Sequence, residues 1–112
     1  MSKFMILYNS QMSSSEQMTN ASPEEMKASM EEWISWKNEV SKTVNFDFGL
    51  PLQIVNKLTS NEITAGDSHV SGYSIMEGES KDVIVNMLKS HPHLKQAGAS
   101  IDVLEMLHMP GM

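Results

Sequence analysis

Two imidazoles lie two residues apart in the segment His91-Pro92-His93, and imidazole is both a common metal ligand and a proton carrier near neutral pH. A metal site needs three or four convergent ligands, and no further ligand stands nearby in the sequence. We therefore expect no metal site, and we interpret the pair as two partly exposed histidines at the end of a helix. A histidine there also interacts favourably with the helix dipole.

Asp47 is the carboxylate with the clearest chemical potential, because it stands between Phe46 and Phe48 just before a Gly-Leu-Pro bend. A carboxyl group walled by aromatic rings can transfer protons, since such surroundings disfavour its charged form. The competing interpretation is that strand alternation points Asp47 to solvent or to backbone amides of the turn. Asp47 is the candidate catalytic residue, with His69 as a second candidate base.

Two tryptophans, Trp33 and Trp36, could line an apolar pocket or stack on a flat ligand. Core packing is the simpler role for Trp33, whereas a pocket or interface is as good an interpretation as core for Trp36. We take Trp36, Tyr73 and His69 as candidate ligand-binding residues. The eleven methionines favour flexible core filling with some exposed loop positions, and the alternative is an adaptable apolar ligand surface. Neither a phosphate-binding glycine loop nor a nucleophile elbow is present in the sequence, and no cofactor is expected.

Length and charge limit the classes of function. The 112 residues predict one domain over 1–112. A net charge of −6 with only eight basic residues argues against nucleic acid as a partner and against binding to anionic membranes. The absence of cysteine excludes disulfides, thiolate catalysis and iron–sulfur clusters, and it fits a cytoplasmic location. The apolar run near the start is too short for a secretion signal.

The first half of the chain predicts a strand, a loop and a helix. Phe4–Tyr8 is apolar throughout, as in a strand covered on both faces. Residues 9–22 are polar and predict a mobile loop. Ser22-Pro23-Glu24-Glu25 predicts a helix start with Ser22 as N-cap of a capping box, and the helix should end around Ser41 to Thr43. Its predicted apolar stripe consists of Met26, Met30, Trp33, Ile34 and Val40.

A second strand and an irregular region are predicted next. Val44–Phe48 alternates as a half-buried strand does, and Gly49 with Pro51 then makes a bulge or sharp bend. Gln53–Leu58 could resume extended structure. Thr59–Ser68 is predicted to be a polar turn region, with Gly66-Asp67 as its corner.

The last part predicts strand, helix, strand and a tail. Val70–Glu77 is the third predicted strand, and Ser80 is the expected N-cap of a second helix. That helix must stop near Ser90 or His91, because Pro92 disfavours helical backbone in the residue before it. Ser100–Leu107 is the last predicted strand, and residues 108–112 are a tail.

The resulting order, β-α-β-β-α-β, predicts an α+β domain of ferredoxin-like type. Its two helices should cover only one face of the sheet, yet the first strand is apolar on both. Apolar sheet faces of several hundred Å2 are rarely left exposed in monomers. We therefore expect a homodimer through the open sheet face, the alternative being that the chain's own loops cover it.

The chain resembles the YCII-related proteins, near the branch of the DGPF-domain proteins. The resemblance is spread along the length and rests on an ordered set of segments, none specific alone. These segments are Phe4–Tyr8, Ser22–Glu25 followed by Trp33 and Trp36, Asp47–Leu52, Gly72–Met76 followed by Glu79-Ser80, and His91–Leu94.

The resemblance implies a dimeric α+β barrel and little about activity. Some relatives are thought to use a His–Asp pair in a cleft beside the sheet. The predicted first helix of this chain contains no histidine, and the loop after the first strand contains no aspartate. The D-G-P-F motif is replaced by Thr64-Ala65-Gly66-Asp67-Ser68.

Three functions remain, in this order. The first is binding of a small apolar or aromatic metabolite in a cleft between the first helix and the sheet. The second is a small enzyme that performs proton-transfer or lyase-type chemistry with Asp47. The third is an assembly protein that has no ligand and associates through its sheet face.

Overall fold

Two helices and a four-stranded antiparallel sheet form an α+β structure. The structure is a computed structural model and describes residues 1–11 and 19–111. The strands are β1 (Ser2–Asn9), β2 (Asn45–Asp47), β3 (Lys57–Leu58), β4 (Ile63–Thr64), β5 (Val70–Gly78) and β6 (Ser100–Glu105). The helices are α1 (Pro23–Val40) and α2 (Lys81–Leu88), and a short 3-10 helix spans Pro92–Lys95.

The main sheet has the strand order β2-β5-β1-β6, and every neighbouring pair is antiparallel. The two central strands, β1 and β5, pair from Ser2 opposite Gly78 to Asn9 opposite Val70. The apolar run of β1 suits this central place, because a central strand is shielded by strands on both sides. The short β2 and the six-residue β6 form the edges.

The core lies between one face of this sheet and the two helices. Ile6 of β1, Met76 of β5 and Ile84 of α2 are fully buried there. Alternation along β1 puts Phe4, Ile6 and Tyr8 on this face. The remaining buried apolar residues of the cluster are Trp36, Val40, Val44 and Leu88.

Both helix starts agree with the sequence. The Ser22 hydroxyl accepts a hydrogen bond from the Glu25 amide at 3.1 Å, and the Glu25 carboxylate accepts one from the Ser22 amide at 3.4 Å. This is the predicted capping box. The Ser80 hydroxyl accepts from the Val83 amide at 3.4 Å and caps α2. The helices end at Val40 and Leu88, slightly earlier than predicted.

The second face of the sheet carries no helix from residues 1–11 and 19–111. Met5 lies opposite Ile75, and Leu7 lies opposite Tyr73, so these four side chains share that face. All four are half-buried. We call this set the open sheet face. β1 was predicted to be covered on both faces. Among the described residues, only the face toward the helices is covered.

The β2–β5 connection extends the sheet into a long hairpin. Beyond the bend at Gly49, Pro51 bridges to Gly72, and Lys57–Leu58 then pairs with Ile63–Thr64. We call residues 53–69 the β-arm. The predicted corner at Gly66-Asp67 is wrong, because the chain reverses at Thr59–Glu62. The Thr59 hydroxyl accepts from the amides of Asn61 and Glu62 and stabilises that turn.

Three other predictions are wrong. Met26 and Met30 of the predicted stripe are 43% and 53% exposed, whereas Trp36, placed at its edge, belongs to the core. The two histidines are buried rather than partly exposed, at 2% for His91 and 3% for His93. The last strand ends at Glu105 rather than Leu107.

The predicted mobile loop falls mainly on residues 12–18, outside the described residues, and its first residue, Asn9, belongs to β1. Met112 of the predicted tail is also outside them.

Candidate functional site

A cleft of about 730 Å3 opens between α1 and one end of the main sheet. It lies where β1 ends and β5 begins, and we call it the α1 cleft. Its volume falls within the range of sites that hold small organic ligands. A second hollow, of about 440 Å3, lies on the β-arm among side chains that are neither aromatic nor buried.

The N-terminal half of α1 forms one wall of the α1 cleft. Met26, Met30 and Trp33 stand at helical spacings of four and three, so they lie on one face. The same face continues into Trp36 and Val40, which are buried against the sheet. The predicted apolar stripe is therefore confirmed only in part. Its first half borders the cleft, Val40 enters the core, and Ile34 is 43% exposed and belongs to neither.

The bend after β2 forms the opposite wall, through Phe48, Gly49, Leu50 and Pro51. Gly49 has a φ of +73°, and a Cβ atom there would lie 1.9 Å from the Tyr73 carbonyl oxygen. Only glycine lets the backbone approach β5 so closely. The Leu50 carbonyl then accepts a hydrogen bond from the Tyr73 amide at 3.2 Å, which fixes the bend to the sheet.

Two hydroxyl groups connect Tyr8 of β1, which also lines the cleft, to the bend after β2. The Tyr8 hydroxyl donates to the Ser74 hydroxyl at 2.8 Å, and Ser74 donates to the Phe48 carbonyl at 2.8 Å. Burial raises the pKa of Tyr8 to about 12, and the Ser74 hydrogen bond opposes that rise. Tyr8 is therefore neutral at physiological pH and holds Phe48 in place indirectly.

His93 lines the cleft and anchors the segment after α2 to β1. Its Nε2 lies 2.8 Å from the Asn9 carbonyl oxygen. Because a carbonyl only accepts, this nitrogen carries the proton. Burial lowers the pKa of His93, while hydrogen bonds to the Asn9 and Ser100 backbone oppose the shift.

His91 lies deeper, enclosed by aromatic rings. Its ring centroid is 4.4 Å from that of Trp33 and 4.3 Å from that of Trp36. The His91 Nδ1 accepts from the His93 amide at 2.9 Å, so the proton of the neutral ring is on Nε2. Within the described residues Nε2 is buried without a hydrogen-bond partner. Burial first, and then the charge of a protonated His93, lowers the pKa of His91 to about 3.

The α1 cleft is thus apolar and nearly uncharged. Among its described lining residues Glu25 is the single carboxylate, and none is a lysine or arginine. Burial lowers the pKa of His93 and so favours its neutral form. Such a wall can enclose a flat apolar ring, and it has no cation to pair with an anionic group.

The predicted site residues are spread apart. Tyr73 is among the residues that line the cleft, although its side chain belongs to the open sheet face. Trp36 lies beneath the cleft in the core, and its indole N–H donates to the Ser90 hydroxyl at 3.3 Å. Asp47 and His69 are exposed and do not belong to the lining. The Asp47 carboxylate accepts a hydrogen bond from the Gly49 amide at 3.1 Å. This agrees with the alternative interpretation, in which Asp47 bonds to backbone amides of the turn.

The residues that sequence reasoning missed are those the tertiary structure brings together. Trp33 was assigned to the core, Phe48 received no role, and His93 was taken as partly exposed. The helical spacing of Met26, Met30 and Trp33, which follow the capping box in the sequence, could have predicted the α1 wall of the cleft. Nothing local in the sequence indicated that His93 would reach Asn9, 84 residues earlier.

Neither α1 nor α2 has the length and hydropathy that a bilayer crossing requires, and this statement covers residues 1–11 and 19–111. A scan against protein-family models found no match. A search of curated proteins also found none. The resemblance to YCII-related proteins stays a prediction.

Proposed function

We propose that this chain binds a small, neutral, flat compound of apolar or aromatic character in the α1 cleft. The observation that carries this proposal is the cleft itself, about 730 Å3 in volume and walled by Trp33, Phe48 and the methionines of α1. Aromatic and thioether side chains provide large polarisable contact surfaces for such a ring. The walls are held before any ligand arrives, because the Tyr8–Ser74 hydrogen bonds and the Gly49 bend fix Phe48.

The charge of the cleft narrows the ligand class. The lining contains Glu25 and no basic side chain among the described residues, and the whole chain has a charge of −6. A carboxylate, sulfonate or phosphate entering the cleft would lose hydration without gaining a cationic partner among the described lining residues. The preferred ligand is therefore uncharged, with its apolar ring against Trp33 and Phe48.

Two matched dyes test this proposal. N-phenyl-1-naphthylamine is neutral, and 1-anilinonaphthalene-8-sulfonate is its sulfonated counterpart. We expect the neutral dye to bind saturably, with enhanced fluorescence, and at least about tenfold more tightly than the sulfonate, which corresponds to about 1.4 kcal/mol. A sulfonate that bound as tightly as the neutral dye would contradict the proposed ligand class.

Two serine substitutions on α1 then localise the dye. Ser29 lines the cleft, whereas Ser35 is exposed on the same helix and does not line it. Ser29→Phe should weaken the neutral dye at least about tenfold, because overfilling a site costs about 1–3 kcal/mol. Ser35→Phe should leave its affinity unchanged. Equal affinities for the two variants would place the dye elsewhere.

The enzymatic alternative receives no support from the position of Asp47, which is exposed and outside the cleft lining. Its carboxylate already accepts the Gly49 amide, which gives the residue a role in the bend. The assembly alternative has its own supporting observation, the exposed apolar side chains of the β-arm, and these are compatible with ligand binding.

We also propose that the chain forms a homodimer through the open sheet face, in the manner of a ferredoxin-like dimeric α+β barrel. The sheet order β2-β5-β1-β6 supports this arrangement, because it puts the first and third strands of the main sheet at the centre. The half-buried Met5, Leu7 and Ile75 support it too, since no helix in the described part of the chain shields their face. The proposed likeness to YCII-related proteins agrees with such a dimer.

A lysine on the open sheet face should separate the subunits. We expect the protein to sediment at twice the 12.5 kDa chain mass, and Leu7→Lys to sediment at the chain mass. Val85→Lys, a comparable change on α2 where Val85 is 40% exposed, should remain dimeric. Sedimentation velocity with circular dichroism as a folding check decides this. A folded Leu7→Lys protein that remained dimeric would contradict the proposed interface.

A further inference from the structure

The β-arm exposes apolar side chains that none of the described residues covers. Leu58 and Ile63 are 70% and 69% exposed, and Val55 is 79% exposed. Leu58 pairs directly with Ile63 across the two strands, so their side chains form one patch on the same face. A hairpin this short is only marginally stable in water on its own.

The chain as a whole is also extended for its length. Its radius of gyration is 15.6 Å, whereas a compact chain of this length has about 13 Å. Its accessible surface is 7855 Å2, against about 6,200 Å2 for a compact monomer of the same mass. The excess exceeds the roughly 800 Å2 that each partner buries in an interface of standard size.

We propose that the β-arm clasps a second copy of this chain, with Leu58 and Ile63 buried against apolar surface of that copy. The arm continues directly from β5, whose Tyr73 and Ile75 belong to the open sheet face. A copy lying on that face is therefore next to the base of the arm. Symmetry doubles the contact, because each subunit contributes one arm.

The charge of the chain argues against an anionic lipid surface as the occupant. With a net charge of −6, the protein is repelled by anionic bilayers. On the arm itself, Lys57 pairs with Asp67 at 3.6 Å, so that lysine is not left to bind a headgroup. This inference rests on the proposed association of two copies, but it concerns a surface distinct from the open sheet face.

The double variant Leu58→Glu with Ile63→Glu tests the arm in sedimentation equilibrium. Burying carboxylates at four positions of a symmetric dimer should raise the dimer dissociation constant by at least about 100-fold. Leu107→Glu is the control, because Leu107 is 81% exposed and lies outside the arm. The control should associate as the unchanged protein does.

A second measurement reports burial at the arm directly. The chain has no cysteine, so Leu58→Cys introduces a unique thiol for a nitroxide spin label. The label should be immobilised at concentrations that favour the dimer and mobile on dilution. A label at Lys27→Cys, on the exposed part of α1, should stay mobile throughout.

The outcomes separate the two proposals. A double arm variant that dimerises like the unchanged protein, with a mobile label at position 58, overturns the arm proposal even if Leu7→Lys is monomeric. A protein that is monomeric at every concentration overturns both. Arm-dependent binding to neutral phosphatidylcholine vesicles by such a monomer would assign the arm to a lipid surface instead.

Discussion

Lowering the pH from about 7 to about 4 is expected to destabilise the protein strongly, because two histidines are buried in their neutral form. The pKa of His91 falls to about 3 in the folded state, against an ordinary value of 6.5, and burial lowers the pKa of His93 as well. Between the folded and unfolded pKa values, the unfolded chain binds protons that the folded chain does not. Stability is therefore complete above about pH 7 and falls as the pH drops.

The size of this effect is comparable to the stability of a small domain. At about 1.4 kcal/mol for each unit of pKa difference, His91 alone accounts for a loss of about 5 kcal/mol by pH 3. Domains of this kind have total stabilities of about 5–15 kcal/mol. The measurement is the free energy of unfolding in urea, determined at intervals between about pH 4 and pH 8.

Substitution of His91 by asparagine separates the titration from the packing. An amide oxygen can still accept from the His93 amide, but the side chain no longer titrates. We expect His91→Asn to be less stable at pH 7 and to lose a smaller part of its stability on acidification. Ile84→Val, a fully buried apolar residue, should lower stability by about 1 kcal/mol and keep the full pH dependence. A stability that does not change between pH 7 and pH 5 would contradict the buried neutral pair.

Replacement of Gly49 by alanine should be among the most destabilising single changes in the chain, at about 3 kcal/mol or more. A φ of +73° costs a residue with a Cβ atom about 1–2 kcal/mol. The added Cβ would in addition meet the Tyr73 carbonyl oxygen at 1.9 Å, so the bend would have to leave β5. That movement breaks the hydrogen bond from the Tyr73 amide to the Leu50 carbonyl.

Gly66 provides the matched control. Its φ is +83°, but a Cβ atom there would meet only side-chain atoms of Ile54 and Lys57, at 3.1 Å or more. Gly66→Ala should therefore cost about 1–2 kcal/mol, the backbone contribution alone. Unfolding in urea at neutral pH measures both variants. If the two alanine variants were equally stable, the close approach at Gly49 would not determine the bend.

The parts of the fold that sequence could predict are those with local causes. The start of α1 follows from Ser22, Pro23 and Glu25, which satisfy its first amides within a few residues. The bend at Gly49 follows in the same way from a glycine and a proline close together. Such signals need no knowledge of the remaining chain.

The turn of the β-arm shows where local signals mislead. Gly66-Asp67 has the residue types of a turn, and Gly66 does have a positive φ. The reversal is nevertheless at Thr59–Glu62, because the Thr59 hydroxyl accepts two backbone amides there and Leu58 then pairs with Ile63. Two competing turn signals in one polar stretch could not be ranked from sequence.

The candidate site was predictable only as a location. A cleft beside the first helix was expected, but its depth depends on how far α1 stands from the sheet, which helical periodicity does not encode. The burial of His91 depends on Trp33 and Trp36, more than fifty residues earlier in the chain. The sequence around Pro92 therefore predicted that His91 would be partly exposed, whereas tertiary packing buries it.

One half of α1 borders the cleft and the other half enters the core, so the two halves differ in the free energy of local unfolding. Its C-terminal turns, held by Trp36 and Val40, can separate only when the whole domain melts. Its first turns are exposed from Pro23 to Glu32, and the reciprocal bonds of Ser22 and Glu25 stabilise their start. Local opening of those turns would widen the entrance of the cleft, and the hydrogen bonds of the capping box oppose that opening. The capping box would therefore control how fast a ligand enters and leaves.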